Sequence, residues 1–140
     1  VPVSQRQVRQ CLESMRSYYE KREYTKVLDA YTSYKAYREG RELPADARRM
    51  DEEIREISRR ATVVSDFESR SIVIGALIVS GDRSVALING KSVTVGDPIE
   101  AGSKILLCEV RRDGCTFLYE DVRIPRSIRQ GKPRTSRKGR

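Results

Sequence analysis

Three groupings in this sequence have the residue types of a reactive site. They are Gly90-Lys91-Ser92, the cysteines at 11, 108 and 115, and the acidic set Asp51, Glu52, Glu53 and Glu56. Gly-Lys-Ser ends a phosphate loop only where G-x-x-x-x-G-K-[ST] follows a strand and opens a helix, so that backbone N–H groups can cradle the phosphates. Aligned on this chain, the first glycine of that pattern falls on Val85, and the residues after Ser92 alternate as a strand. The glycines of 85–99 therefore shape the backbone and bind no phosphate. A cysteine nucleophile needs a partner base and a lowered pKa. The chain has no His, the commonest general base and metal ligand, and no Cys-x-x-Cys. The four acids share a helical stretch with Arg55, Arg59 and Arg60, and ion pairs one turn apart account for them as a solvated face. The expectation is a protein without catalytic residues, cofactor or metal.

Composition agrees with a binding or scaffolding role. Of 140 residues, 38% are hydrophobic and 34% charged, with no Trp and only two Phe, so the core is modest. The net charge of +8 suggests nucleic acid until it is located. Residues 121–140 hold eight Lys/Arg and one Asp, and the other 120 hold twenty Lys/Arg and nineteen Asp/Glu. The folded part is thus nearly neutral, and "RSIRQGKPRTSRKGR" reads as a disordered basic tail. Such a tail gives salt-dependent, non-specific affinity for nucleic acid or an anionic membrane. It has no interleaved aromatics for base stacking. The longest apolar run, 72–79, is far below the ~20 residues that span a bilayer. No signal peptide is visible, and the start at Val1 rather than Met raises the expectation of a leader or anchor upstream.

The hydrophobic period changes near Asp66. Before it, Val8, Cys11, Leu12, Met15, Tyr18 and Tyr19 lie on one helical face, with Ser4 as a side-chain cap. A break at 21–23 precedes a second face of Val27, Leu28, Tyr31, Tyr34 and Tyr37, which Gly40 stops. Pro44 suits the first turn of a third helix with a seam of Ala47, Met50, Ile54, Ile57, Ala61 and Val64. "YYEKREYTKVLDAYTSY" (18–34) resembles the inside of one tetratricopeptide-type hairpin, a unit that normally needs neighbours. The reading is an antiparallel hairpin plus a third helix. In it Tyr31 and Tyr34 are either core filler or the wall of a groove for a partner helix.

After Asp66 the period is two. Strands are expected at 71–80, 84–88, 91–95, 104–110 and 115–121, with a short last one at 122–124. Turns are expected at Gly81-Asp82-Arg83, Asn89-Gly90, Gly96-Asp97-Pro98 and Asp113-Gly114. A two-residue turn at Asp113-Gly114 sets Val110 opposite Phe117 and Cys108 opposite Tyr119. Cys108 and Cys115 then share a face without being opposite, which favours small buried thiols over a disulfide. The fold class is α+β: an N-terminal antiparallel three-helix module (1–68), a small antiparallel β-sandwich or barrel of five or six strands (69–128), and a basic tail (129–140).

The β half carries a family resemblance. "LIVSGDRSVALI", "NGKSVTVGDPI" and "KILLCEVRRDGCTFLYEDVRIP" follow one another in the order and spacing of a known domain. Residues 72–128 resemble the periplasmic β-domains of inner-membrane subunits of bacterial type II secretion and type IV pilus assembly systems. The resemblance implies a small sandwich without enzymatic activity that docks onto another component, such as a secretin N-domain or another inner-membrane assembly subunit. It also implies a periplasmic or inner-membrane-anchored location. The helical module ahead of the β half departs from the family's usual transmembrane helix and linker.

An open sandwich has edge strands with unpaired backbone groups, and a partner strand can satisfy them. The candidate edges are Ile72–Val79 and Val122–Ile124. Their side chains Ile72, Ile74, Leu77, Val79, Val122 and Ile124, with Tyr31 and Tyr34, are the expected partner-binding residues. The competing reading of the first edge is that the helical half covers it. The expected function is a non-catalytic scaffold or docking subunit of an envelope secretion or pilus machine. The alternative is a nucleic-acid-associated adaptor that uses the basic tail.

Overall fold

The apolar spacing before Asp66 leaves each helix one greasy stripe, and three stripes bury one another. In the computed structural model, which describes residues 2–81 and 83–128, these helices are α1 (Gln5–Glu20), α2 (Tyr24–Arg38) and α3 (Arg48–Glu68). The chain divides into two units between Asp66 and Phe67. Asp82 of the expected 81–83 turn and the basic stretch 129–140 lie outside the described residues.

In the helical unit α2 runs antiparallel to α1, and α3 returns along α1, where Arg16 pairs with Glu53. Val8, Leu12, Met15, Val27, Ala47 and Ile54 are buried together, as the spacing requires. Cys11, Tyr18, Tyr19, Leu28, Tyr31, Tyr37, Met50 and Ile57 are half-buried around them. Ser4 occupies the N-cap of α1, but its hydroxyl makes no cap bond. Its backbone N–H instead donates to the Tyr37 hydroxyl at 2.8 Å, which closes the open end of the hairpin. Gly40 follows α2 with φ +76, a conformation that costs a glycine little. Pro44 precedes a single 3-10 turn, Ala45–Ala47, that leads into α3.

Among the described residues the β unit is two separate antiparallel sheets of three strands, which do not close into a barrel. The first has the order β1 (Ile74–Ile78), β2 (Val85–Ile88), β3 (Lys91–Thr94); the second has β4 (Leu106–Val110), β5 (Gly114–Tyr119), β6 (Val122–Ser127). Asn89 and Gly90, at φ 51 and 84, form the expected two-residue turn between β2 and β3. Between β3 and β4 the chain doubles alongside β4, with Gly96 N–H donating to Leu107 C=O at 2.7 Å and Leu107 N–H to Asp97 C=O at 2.9 Å.

Three local expectations need correction. Asp113-Gly114 is not a two-residue turn: Val110 pairs with Cys115 and Leu107 with Phe117, and a bulge at Cys108 absorbs the change of register. Cys108 is half-buried and Cys115 fully buried, both as free thiols. Gly114 opens β5 opposite Ser127, whose Cα lies 2.8 Å from where a Cβ would stand, so that position excludes any side chain. The last strand is longer than 122–124, because Glu120 and Asp121 turn the chain with φ 52 and 67 and let β6 pair through Ser127. Arg126, read as the first residue of the tail, therefore belongs to β6. Its guanidinium bonds Glu68 at 2.7 Å and lies 5.5 Å from the Phe67 ring centre.

Phe117 is the largest fully buried side chain of the β unit and meets Phe67 at a ring separation of 5.1 Å. Phe117→Ala is expected to cost about 3–5 kcal/mol through lost burial and the cavity left behind. Urea denaturation followed by fluorescence or circular dichroism measures it, and a loss below about 1 kcal/mol would contradict this packing.

Candidate functional site

Two features stand out once the elements are placed: an outer strand with apolar side chains in water, and a carboxylate with almost no exposure. The strand is β1. It is an outer strand of the first sheet, paired on one side with β2. Asn89 clasps its leading end, since Val73 N–H donates to Asn89 Oδ1 at 2.8 Å and Asn89 N–H donates to Val73 C=O at 2.9 Å. A register shift between Ile74 and Ala76 puts both Ile74 and Leu77 on the side of buried Ala86, Ile88 and Val93. The opposite face then carries Ala76 and Ile78 beside Val85 and Leu87. Ile78 is 61% exposed and Val79 49% exposed. β2 is apolar on both faces, the composition of a strand covered on both sides.

The other edges are guarded. β6 carries Arg123, Pro125 and Arg126, residues that discourage a further strand. β4 has segment 96–99 beside it through the Pro98–Leu106 bridge. β3 begins with an exposed Lys91. Residues 71–80 contain no charge and no Pro. Of the expected partner-binding residues, Val79 is exposed and Ile72 and Leu77 half-buried. The side chains of Ile74, Val122 and Ile124 are each 1% exposed and belong to the core. Ile78, not named from the sequence, is the most exposed large apolar side chain among the described residues. Strict alternation from Ile74 would have turned it outward only if the bulge were known.

The carboxylate is Asp51. Its acidic neighbours place it on a solvated face, yet it is 3% exposed. Its Oδ1 accepts from the Tyr34 hydroxyl at 2.5 Å and from Arg38 Nη1 at 3.2 Å, and Arg55 Nε lies 3.2 Å from Oδ2. The missed signal is positional. Asp51 stands four residues after Ala47 and three before Ile54, inside the apolar seam, as does buried Ser58. Glu56 behaves as expected: Arg59 and Arg60 bond it at 2.9 Å and pull its carboxyl down to about 2. Glu53 faces Arg16 of α1.

Tyr34 and Tyr31 separate in role. Tyr34 is 6% exposed, and burial followed by its bond to Asp51 raises its hydroxyl above the usual tyrosine range. Tyr31 is half-buried at the rim of an open cavity of about 650 Å³ between α2 and α3. Burial likewise raises the thiols of Cys11 and Cys115 to about 11, away from the thiolate a nucleophile needs. Among the described residues no three Cys, Asp or Glu gather as metal ligands, and no helix is long and apolar enough to cross a membrane.

Because the folded state holds the Tyr34 proton more tightly than the unfolded chain, its contribution is complete below pH 10 and is lost as pH rises further. Tyr34→Phe is expected to cost about 1–3 kcal/mol at pH 7 by stripping a donor from a buried carboxylate. It should also flatten the stability loss above pH 10, as read by urea denaturation across pH; equal alkaline slopes in the two proteins would refute this. No family model, no curated protein and no solved structure matches this chain.

Proposed function

We propose that the chain is a non-catalytic docking subunit of a bacterial envelope secretion or pilus assembly machine, acting in the periplasm. It binds by accepting an extended strand of another component, a secretin N-domain, along β1. The observation that carries this is the unguarded edge: Ile78, 61% exposed at the end of an outer strand, and Val79, 49% exposed just after it, in a stretch (71–80) without charge or Pro. An added strand satisfies the free backbone groups of such an edge, and pockets for alternate side chains supply selectivity. The face that carries exposed Ala76 and Ile78 beside half-buried Val85 and Leu87 gives the incoming strand's neighbours an apolar surface to cover.

The resemblance of 72–128 to the periplasmic β-domains of such machines supports the partner class. In this reading the two three-stranded sheets are the layers of a small sandwich. Cys115, with its thiol raised by burial, serves as core, and no residue of the β unit is assigned chemistry.

Full-length protein mixed with a recombinant secretin N-domain tests the proposal by calorimetry and by hydrogen exchange. Binding should protect amides of β1. Ile78→Lys, at an exposed site, should weaken it about tenfold or more while leaving the thermal midpoint nearly unchanged. Absence of binding overturns the partner, and binding insensitive to Ile78→Lys overturns the edge.

A further inference from the structure

The helical unit has its own surface of distinct chemistry. Tyr31, Lys35 and Arg38 follow one another at four- and three-residue steps along α2, and Asp51 and Arg55 stand one turn apart on α3. Together they wall the open cavity of about 650 Å³, large enough for several side chains. The charges inside it do not balance. Arg38 and Arg55 both turn to the one carboxylate of Asp51. Lys35 adds a third cation and Glu39 at the rim a second carboxylate, leaving one positive charge over.

That surplus is reachable. The Arg55 side chain is 61% exposed. Arg38 Nε is buried and has no hydrogen-bond partner among the described residues.

We propose that this groove is a second docking site, and that it takes a glutamate- or aspartate-bearing helix of a protein partner. Two helices with cations on both walls match carboxylates spaced along a third helix. The apolar part of the occupant lies on Tyr31, Ala36 and the aliphatic stems of the arginines. A compact phosphate fits less well, because the point on which Arg38 and Arg55 converge is already held by the Asp51 carboxylate, and Lys35 stands apart from it. A nucleic-acid base fits less well too, since Lys35 Nζ already faces the Tyr31 ring at 5.6 Å.

The test is an NMR titration of the full chain with a synthetic amphipathic helix of glutamate, alanine and leucine, about four turns long. Its glutamine-for-glutamate analogue, inorganic phosphate and a short oligouridylate serve as comparisons. The glutamate peptide should shift amides of Tyr31, Lys35, Arg38 and Arg55, and the shifts should weaken with salt. Lys35→Glu, at an exposed position, should reduce affinity about tenfold with an unchanged circular dichroism spectrum. The proposal is overturned by no shift at these residues or by equal shifts with the glutamine analogue. It is overturned equally if phosphate or oligouridylate shifts the same residues as strongly. Ile78→Lys should leave the titration unaltered, which keeps this site separate from the β1 edge.

Discussion

A carboxylate withdrawn from water costs several kcal/mol unless its partners compensate. Asp51 is such a carboxylate, and the helical unit is arranged around it. Tyr34 and Arg38 come from α2 and Arg55 from α3 itself. Sliding α2 along α3 by one turn would strip Asp51 of its Tyr34 and Arg38 partners and leave it only Arg55, so the network favours one register where an apolar seam of Val, Ile and Ala would leave several nearly degenerate. The tyrosine hydroxyl and two guanidiniums are therefore specificity elements first. Their surplus of cations is what gives the neighbouring groove its sign.

The β unit solves a different problem, that of ending a small sheet. Three of its outer strands carry Lys, Arg, Pro or a covering segment. β1 carries none of these, and its bulge keeps Ile74 and Leu77 inward at the cost of sending Ile78 out. The same irregularity thus builds the core and exposes the edge.

The parts legible in the sequence were those set by local chemistry. The stop at Gly40 and the Asn89-Gly90 hairpin stand where residue types place them, because few other residues adopt those backbone conformations, while the break at 21–23 shows as a gap in the apolar spacing and turns through Arg22 at φ 62. What was illegible depends on tertiary context. Glu120 and Asp121 adopt a turn their types do not announce, held by six β5–β6 pairs. Gly114 looks like a turn residue and is required by a close approach of β6. Asp51 looked like surface because acids around it are surface; only its place in the Ala47–Ile54 seam marked it as interior. At β1 the edge was readable from its lack of charge, but which side chains faced out was not, since one bulge reverses the alternation.

The segment from Ile72 to Val79 has a consequence for the chain's own solubility. Eight residues rich in Ile and Val, without charge or Pro, match the sequence character of stacked cross-β segments. The folded sheet sequesters half of this character by turning Ile74 and Leu77 inward, and leaves Ile78 and Val79 in water. An outer strand of this composition is also a template for pairing with a second copy of itself, so a surface that covers it removes that route to self-association.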